Sequence, residues 1–158
     1  MNGIDWLKLI VSLVACQSAG LLGGIFTAKS IKTWYVTLNK PSFNPPGWIF
    51  GPVWTALYLM MGVSLYIIWK KAVETDVRLA IAVFIVQLAL NALWSYLFFG
   101  IHNPRIAFFE VLFLWLFILI CIIIFFPVSH TASYLLIPYL LWVSFASFLN
   151  YTIWKLNP

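Results

Sequence analysis

The chain has 158 residues, 64% of them hydrophobic and 8% charged, with a mean hydropathy of +1.01. Soluble domains are roughly 45–50% apolar and about 25% charged, and a globule of this length hides only about 70% of its unfolded area, so the apolar excess must face lipid. Disorder, collagen-like repeats and coiled coil are excluded by the same figures, and the net charge of +5, carried by cations scattered between apolar segments, gives no basic stripe for nucleic acid.

A helix needs about 20 residues to cross a hydrocarbon core of about 30 Å. Apolar stretches of that length run over 4–26, 47–69, 78–99, 105–126 and 133–154. They predict an all-α integral membrane protein, a bundle of five transmembrane helices forming one domain over 1–158 with a long loop between the first two. The first stretch is too long for a removable signal peptide and lacks a cationic lead with a cleavage site, so it is read as a span. It carries small residues on adjacent ridges, Ala15, Ala19 and Gly23 beside Cys16, Gly20 and Gly24. Gly20 and Gly24 permit close helix approach, expected inside the bundle.

The loop over 28–46 holds Lys29, Lys32 and Lys40 and ends in Pro45-Pro46, which start the second helix. An ordered loop of that length is expected to shape a site. On the third stretch Gln87, Asn91 and Ser95 recur every four residues beside Trp94, and on the fifth Tyr139, Trp142, Ala146 and Asn150 share a face, with Pro138 at its head positioned to kink the helix. Such amides either tie helices together or line a pocket. Cys16 and Cys121 lie in apolar stretches as packed thiols. Glu110 is the one acidic residue inside a span, expected to pair with Arg105 at the interface. No nucleophile triad or metal-spaced cluster stands out, and His102 and His130 fall in connections.

Of nine tryptophans, Trp6, Trp34, Trp48, Trp69 and Trp154 sit near span ends, as an interfacial belt requires. Trp54, Trp94, Trp115 and Trp142 lie deeper, where an indole N–H needs a partner or a polar cavity. Together these residues predict a cavity with aromatic walls, a few neutral polar groups and a lysine-bearing lid. Such a site suits a planar lipophile with peripheral carboxylates, porphyrins included.

Trp34-Tyr35, Leu38-Asn39-Lys40-Pro41, the run from Asn44-Pro45-Pro46-Gly47-Trp48 to Val53-Trp54, Leu57-Tyr58, Gln87 to Trp94, Phe98-Phe99-Gly100, Pro138 to Trp142 and Phe145 to Tyr151 resemble, in order, the signature of the translocator protein family. That family, TspO/MBR, includes the bacterial tryptophan-rich sensory proteins and the peripheral-type benzodiazepine receptor. The resemblance implies a five-helix membrane protein, commonly a homodimer, in a bacterial cell membrane. It implies a receptor, sensor or carrier that needs no cofactor and takes protoporphyrin IX or haem-like tetrapyrroles, sterols and synthetic aromatic ligands in one pocket beneath the long loop. It points to Trp48, Trp54, Asn91, Trp94, Trp142, Ala146 and Leu149, and the residue patterns above add Tyr58, Gln87, Tyr139 and Asn150. In relatives that break down protoporphyrin in light, the tryptophans matching Trp54 and Trp142 are implicated, so these two are the candidate catalytic residues of an enzymatic alternative; passive translocation of porphyrin or lipid is the other. Leu149, Tyr151 and Lys155 resemble the family's sterol pattern. Ser42-Phe43 departs from relatives that carry tryptophan there, which puts ligand preference at the loop edge in question.

Overall fold

The computed structural model describes residues 3–158, and among these the regular elements are all helical. Helix α1 covers Trp6–Ser30, α2 Gly47–Lys70, α3 Arg78–Ser95, α4 Pro104–Phe125, α5 His130–Leu135 and α6 Ile137–Leu156. Five membrane spans result: Trp6–Ser30, Gly47–Val73, Arg78–Gly100, Pro104–Phe125 and His130–Leu156.

Helix starts follow local chemistry. Asp5 Oδ1 accepts from Lys8 N–H at 3.2 Å, Asn103 Oδ1 from Ile106 N–H at 3.0 Å, and Ser129 Oγ from Ala132 N–H at 3.3 Å. Each side-chain oxygen satisfies a first-turn donor that has no partner within its helix. Pro104 opens α4, where its missing N–H costs nothing. Asp76 accepts from Arg78 N–H at 3.0 Å and from its guanidinium at 2.7 Å, which holds the carboxyl at about 2.

Three boundaries differ from expectation. Helix α1 continues to Ser30 because the polar residues after Phe26 support the helix: Thr27 Oγ1 donates back to Gly23 O at 3.1 Å, and Ser30 Oγ donates to Phe99 O at 2.6 Å. The end of α3 widens into a π turn over Tyr96–Gly100, closed by Ile101 N–H donating to Tyr96 O at 2.9 Å. The fifth span begins at His130 and is broken at Leu136 into α5 and α6, since Pro138 has no N–H for the preceding turn.

The two ends of the bundle are packed differently. Away from the long loop the centre is solid, with Met61 and Ile68 of α2, Phe84 of α3, Ile118 and Phe125 of α4 and Ala132 of α5 all fully buried. There α1 and α2 approach closely: a methyl group on Gly62 would lie 3.0 Å from the Leu13 backbone. Gly20 meets the Tyr58 ring in the same way, so this part of the small-residue ridge packs internally. Toward the long loop the helices enclose a hollow.

Candidate functional site: an aromatic-walled cavity under the long loop

The hollow is a cavity of about 790 Å³ lined by α1, α2, α3, α4, α6 and the loop. Trp54, Tyr58 and Phe50 of α2, Trp94 of α3, Phe98 and Phe99 of the π turn and Trp142 of α6 supply aromatic surface. Successive Phe98 and Phe99 both face inward and are both buried, an arrangement the widened turn allows. Trp54 stacks on Tyr58 with ring centres 5.5 Å apart, and Trp94 stacks on Phe98 at 5.1 Å.

Two amide networks fix these walls. Tyr58 O–H donates to Asn91 Oδ1, and Asn91 Nδ2 donates to Tyr139 O–H at 2.8 Å, joining α2, α3 and α6. Trp94 Nε1–H donates to Asn150 Oδ1 at 3.0 Å, and Asn150 Nδ2 donates to Pro104 O at 2.8 Å, joining α3, α6 and α4. Asn91 and Asn150 therefore tie helices together and line the cavity at once. The Trp142 indole N–H, buried at the cavity wall, has no protein partner.

The loop is strapped across the top. Trp34 stacks on His102 at 4.4 Å, and the His102 ring contacts Ser30 Oγ at 2.9 Å. At the other end Asn39 N–H donates to Asn157 Oδ1, and Asn157 Nδ2 donates to Asn39 O, both at 2.9 Å. Tyr35 O–H donates to Asn44 Oδ1 at 2.9 Å, and burial pushes the Tyr35 phenol up from its ordinary value, partly offset by that bond. Lys40 Nζ donates to Tyr35 O at 2.8 Å and Leu38 O at 2.9 Å and faces the cavity. An ammonium has three donors, two of which these carbonyls take, and the Lys40 Nζ also lies 4.9 Å from the centre of the Tyr35 ring.

Of the residues singled out in the sequence, Trp54, Tyr58, Asn91, Trp94, Trp142, Ala146, Leu149 and Asn150 line the cavity. Trp48 does not: it points outward, 75% exposed, where an indole suits the headgroup level. Gln87 and Tyr139 lie behind the wall, each 1% exposed, and neither atom of the Gln87 amide has a partner. Trp115 is tied to Ser144 Oγ at 2.8 Å away from the cavity. Leu149 faces inward while Tyr151 and Lys155 are exposed outside, so the three residues of the sterol pattern share no face. Lys155 instead sits over the Trp154 ring at 4.4 Å. Glu110 is not paired with Arg105, whose guanidinium lies 5.8 Å from the Trp154 ring; both Glu110 oxygens are buried without a partner. Phe43 stacks on Phe148 at 5.2 Å, outside the cavity. What the residue patterns missed is the α1 wall, Gln17 to Ala28, Val111 and Leu114 of α4, and the Phe98–Phe99 pair. The glycines of α1 carried a usable signal, since small residues make room for a hollow as readily as for a neighbouring helix.

Helices of this length around an aromatic-walled cavity define a multi-pass integral membrane protein. The TspO/MBR family model matches residues 12–155. The chain is 45% identical over 156 residues to the tryptophan-rich protein TspO of Chlorobaculum tepidum, covering 96% of this chain and 97% of that one. It is 45% identical over 151 residues to the TspO of Archaeoglobus fulgidus, with the same coverage of 96% and 97%. To the translocator protein of Homo sapiens it is 32% identical over 154 residues, covering 96% of this chain and 91% of that one. The chain belongs to the TspO/MBR family.

Proposed function

We propose that the protein binds planar lipophilic tetrapyrroles of the protoporphyrin IX kind in this cavity and serves as their receptor, sensor or carrier. The observation that carries this reading is the cavity itself: about 790 Å³ walled by Trp54, Trp94 and Trp142, within the roughly 300–1,000 Å³ typical of small-molecule sites. Indole faces stack on a macrocycle, and the Lys40 ammonium at the cavity wall meets a peripheral carboxylate. Names borne by relatives, sensory protein and translocator protein, agree with a ligand-binding membrane protein. The exposed, divided sterol pattern gives sterols less support.

A second reading is light-dependent oxidative opening of the macrocycle by dioxygen, favoured by the placement of Trp54 and Trp142 at the cavity wall. One titration addresses both. Protoporphyrin IX added in darkness quenches tryptophan emission saturably, and Trp54→Phe combined with Trp142→Phe weakens the apparent Kd about tenfold, taking about 0.5–1 kcal/mol per indole contact. Unchanged emission at saturating porphyrin would refute the binding reading. On illumination, the enzymatic reading requires bleaching of the Soret band with an open-chain product only when both indoles are present; equal bleaching in detergent alone would dispose of it.

A further inference from the structure

The cavity has a mouth, and its position is written in which lining residues are also exposed. Leu21, Gly24 and Ala28 of α1 and Gly47, Gly51 and Thr55 of α2 both line the cavity and lie at the molecular surface. The lining residues of α3, α4 and α6 are buried or half-buried. Among the helices the opening is therefore a seam between α1 and α2, and on the loop side it is edged by exposed Val36 and Pro46. The seam is sealed where Gly62 meets Leu13 and where Gln17 Nε2 donates to Thr55 O at 3.4 Å. The same antiparallel register sets Gly24 level with Gly51 and Ala28 level with Gly47. At Gly24, Gly47 and Gly51 a methyl group would meet no atom within 4 Å. Gly24 lies six residues from the end of α1 and Gly51 four from the start of α2, about 9 Å and about 6 Å along the helices. That depth lies inward of the span ends, toward the acyl region.

We propose that this glycine-edged seam is a lateral portal through which lipophilic guests pass directly between the long-loop leaflet and the cavity. Above the seam the loop is held at one end by Trp34 on His102 and at the other by Asn39 on Asn157, so among the described residues the only aqueous approach is past exposed Val36 and Pro46, which a water-confined reagent probes. A bilayer-soluble molecule reaches the seam by lateral diffusion, with its apolar body in the acyl region and any acid group toward Lys40. The proposal takes from the preceding section only that the cavity admits a small guest, and it holds whatever that guest is.

The test uses a covalent probe in place of a ligand. Ala146→Cys places a thiol on the far wall of the cavity; the parent chain, whose Cys16 and Cys121 are fully buried, is the blank. Proteoliposomes are treated with pyrene maleimide, which partitions into lipid, or with a sulfonated maleimide confined to water. The pyrene reagent is expected to label the cavity thiol at least tenfold faster than the sulfonated one. Filling the seam with Gly24→Leu and Gly51→Leu is expected to slow pyrene labelling at least tenfold, while a lipid-facing Leu7→Cys reference is unaffected. Gly51→Leu alone is the second variant should the pair fold poorly, and it too must slow labelling several-fold. Labelling of the filled protein at the parent rate, or equal rates for the two reagents, overturns the portal. Failure of porphyrin to bind would refute the ligand assignment and leave this result standing.

Discussion

Glu110 and Gln87 are the two side chains whose chemistry the fold uses least. Both are buried in α4 and α3, and the hydrogen-bonding atoms of both go unmatched. An unmade hydrogen bond in a low-dielectric interior costs about 1–3 kcal/mol, and an apolar group of similar shape avoids that cost. Glu110→Met is accordingly expected to raise stability by about 1–2 kcal/mol, read as a higher melting temperature in detergent. A fall of that size would mean that the carboxyl serves an interaction in the membrane. Asn91 and Asn150 stand in contrast, since each amide is matched on both its oxygen and its nitrogen across three helices. The residue pattern identified all three amides as inward-facing. It had no means of telling matched from unmatched, because the partners Tyr58, Tyr139 and the Pro104 carbonyl come from other spans.

Among the elements, the loop over residues 31–46 depends most on distant contacts. Its fastening at the C-terminal end is Asn157, which bonds Asn39 twice and anchors itself on Ile153 O at 2.8 Å. Asn157→Leu removes all three bonds and leaves the helices untouched. Amides of residues 35–44 are then expected to exchange at least tenfold faster by hydrogen–deuterium exchange, with α2 and α4 unchanged. Equal protection in the variant would show that the Trp34–His102 stack holds the loop unaided. The π turn and the break at Leu136 were legible to different degrees. Pro138 announces a break through its missing N–H, whereas nothing in Tyr96–Gly100 announces a widened turn. That turn arises from packing both Phe98 and Phe99 inward.

Over the whole molecule, charge is divided by end. Lys29, Lys32, Lys40, Arg105 and Lys155 lie at the long-loop end, with no acidic side chain among the described residues there. At the opposite end Lys8, Lys71 and Arg78 are paired with Asp5, Glu74 and Asp76, and Lys70 donates to Gly3 O. Orientation follows Lys and Arg rather than net charge, so the excess of five cations over four predicts a cytoplasmic long loop by a margin of one charge. A cysteine at exposed Val36 is then expected to resist an impermeant maleimide added to intact cells, while one at Val73, 82% exposed at the other end, is labelled. The reverse labelling would invert the topology.

Hydropathy and length by themselves determined the five spans and the membrane environment, because the cost of leaving backbone groups unpaired in lipid admits only helices over such stretches. Motif order alone pointed to the family, and the indoles at 54, 94 and 142 pointed to a hollow. Only the tertiary structure decided that Trp48 turns outward, that Tyr139 stands behind the wall, and that α1 closes one side of the cavity and leaves a seam beside α2. The physical reason is that helices apolar on every side carry no stripe to say which face meets a neighbour and which meets lipid. That choice is made when helices pack, by where small residues allow backbones to touch and where they leave space.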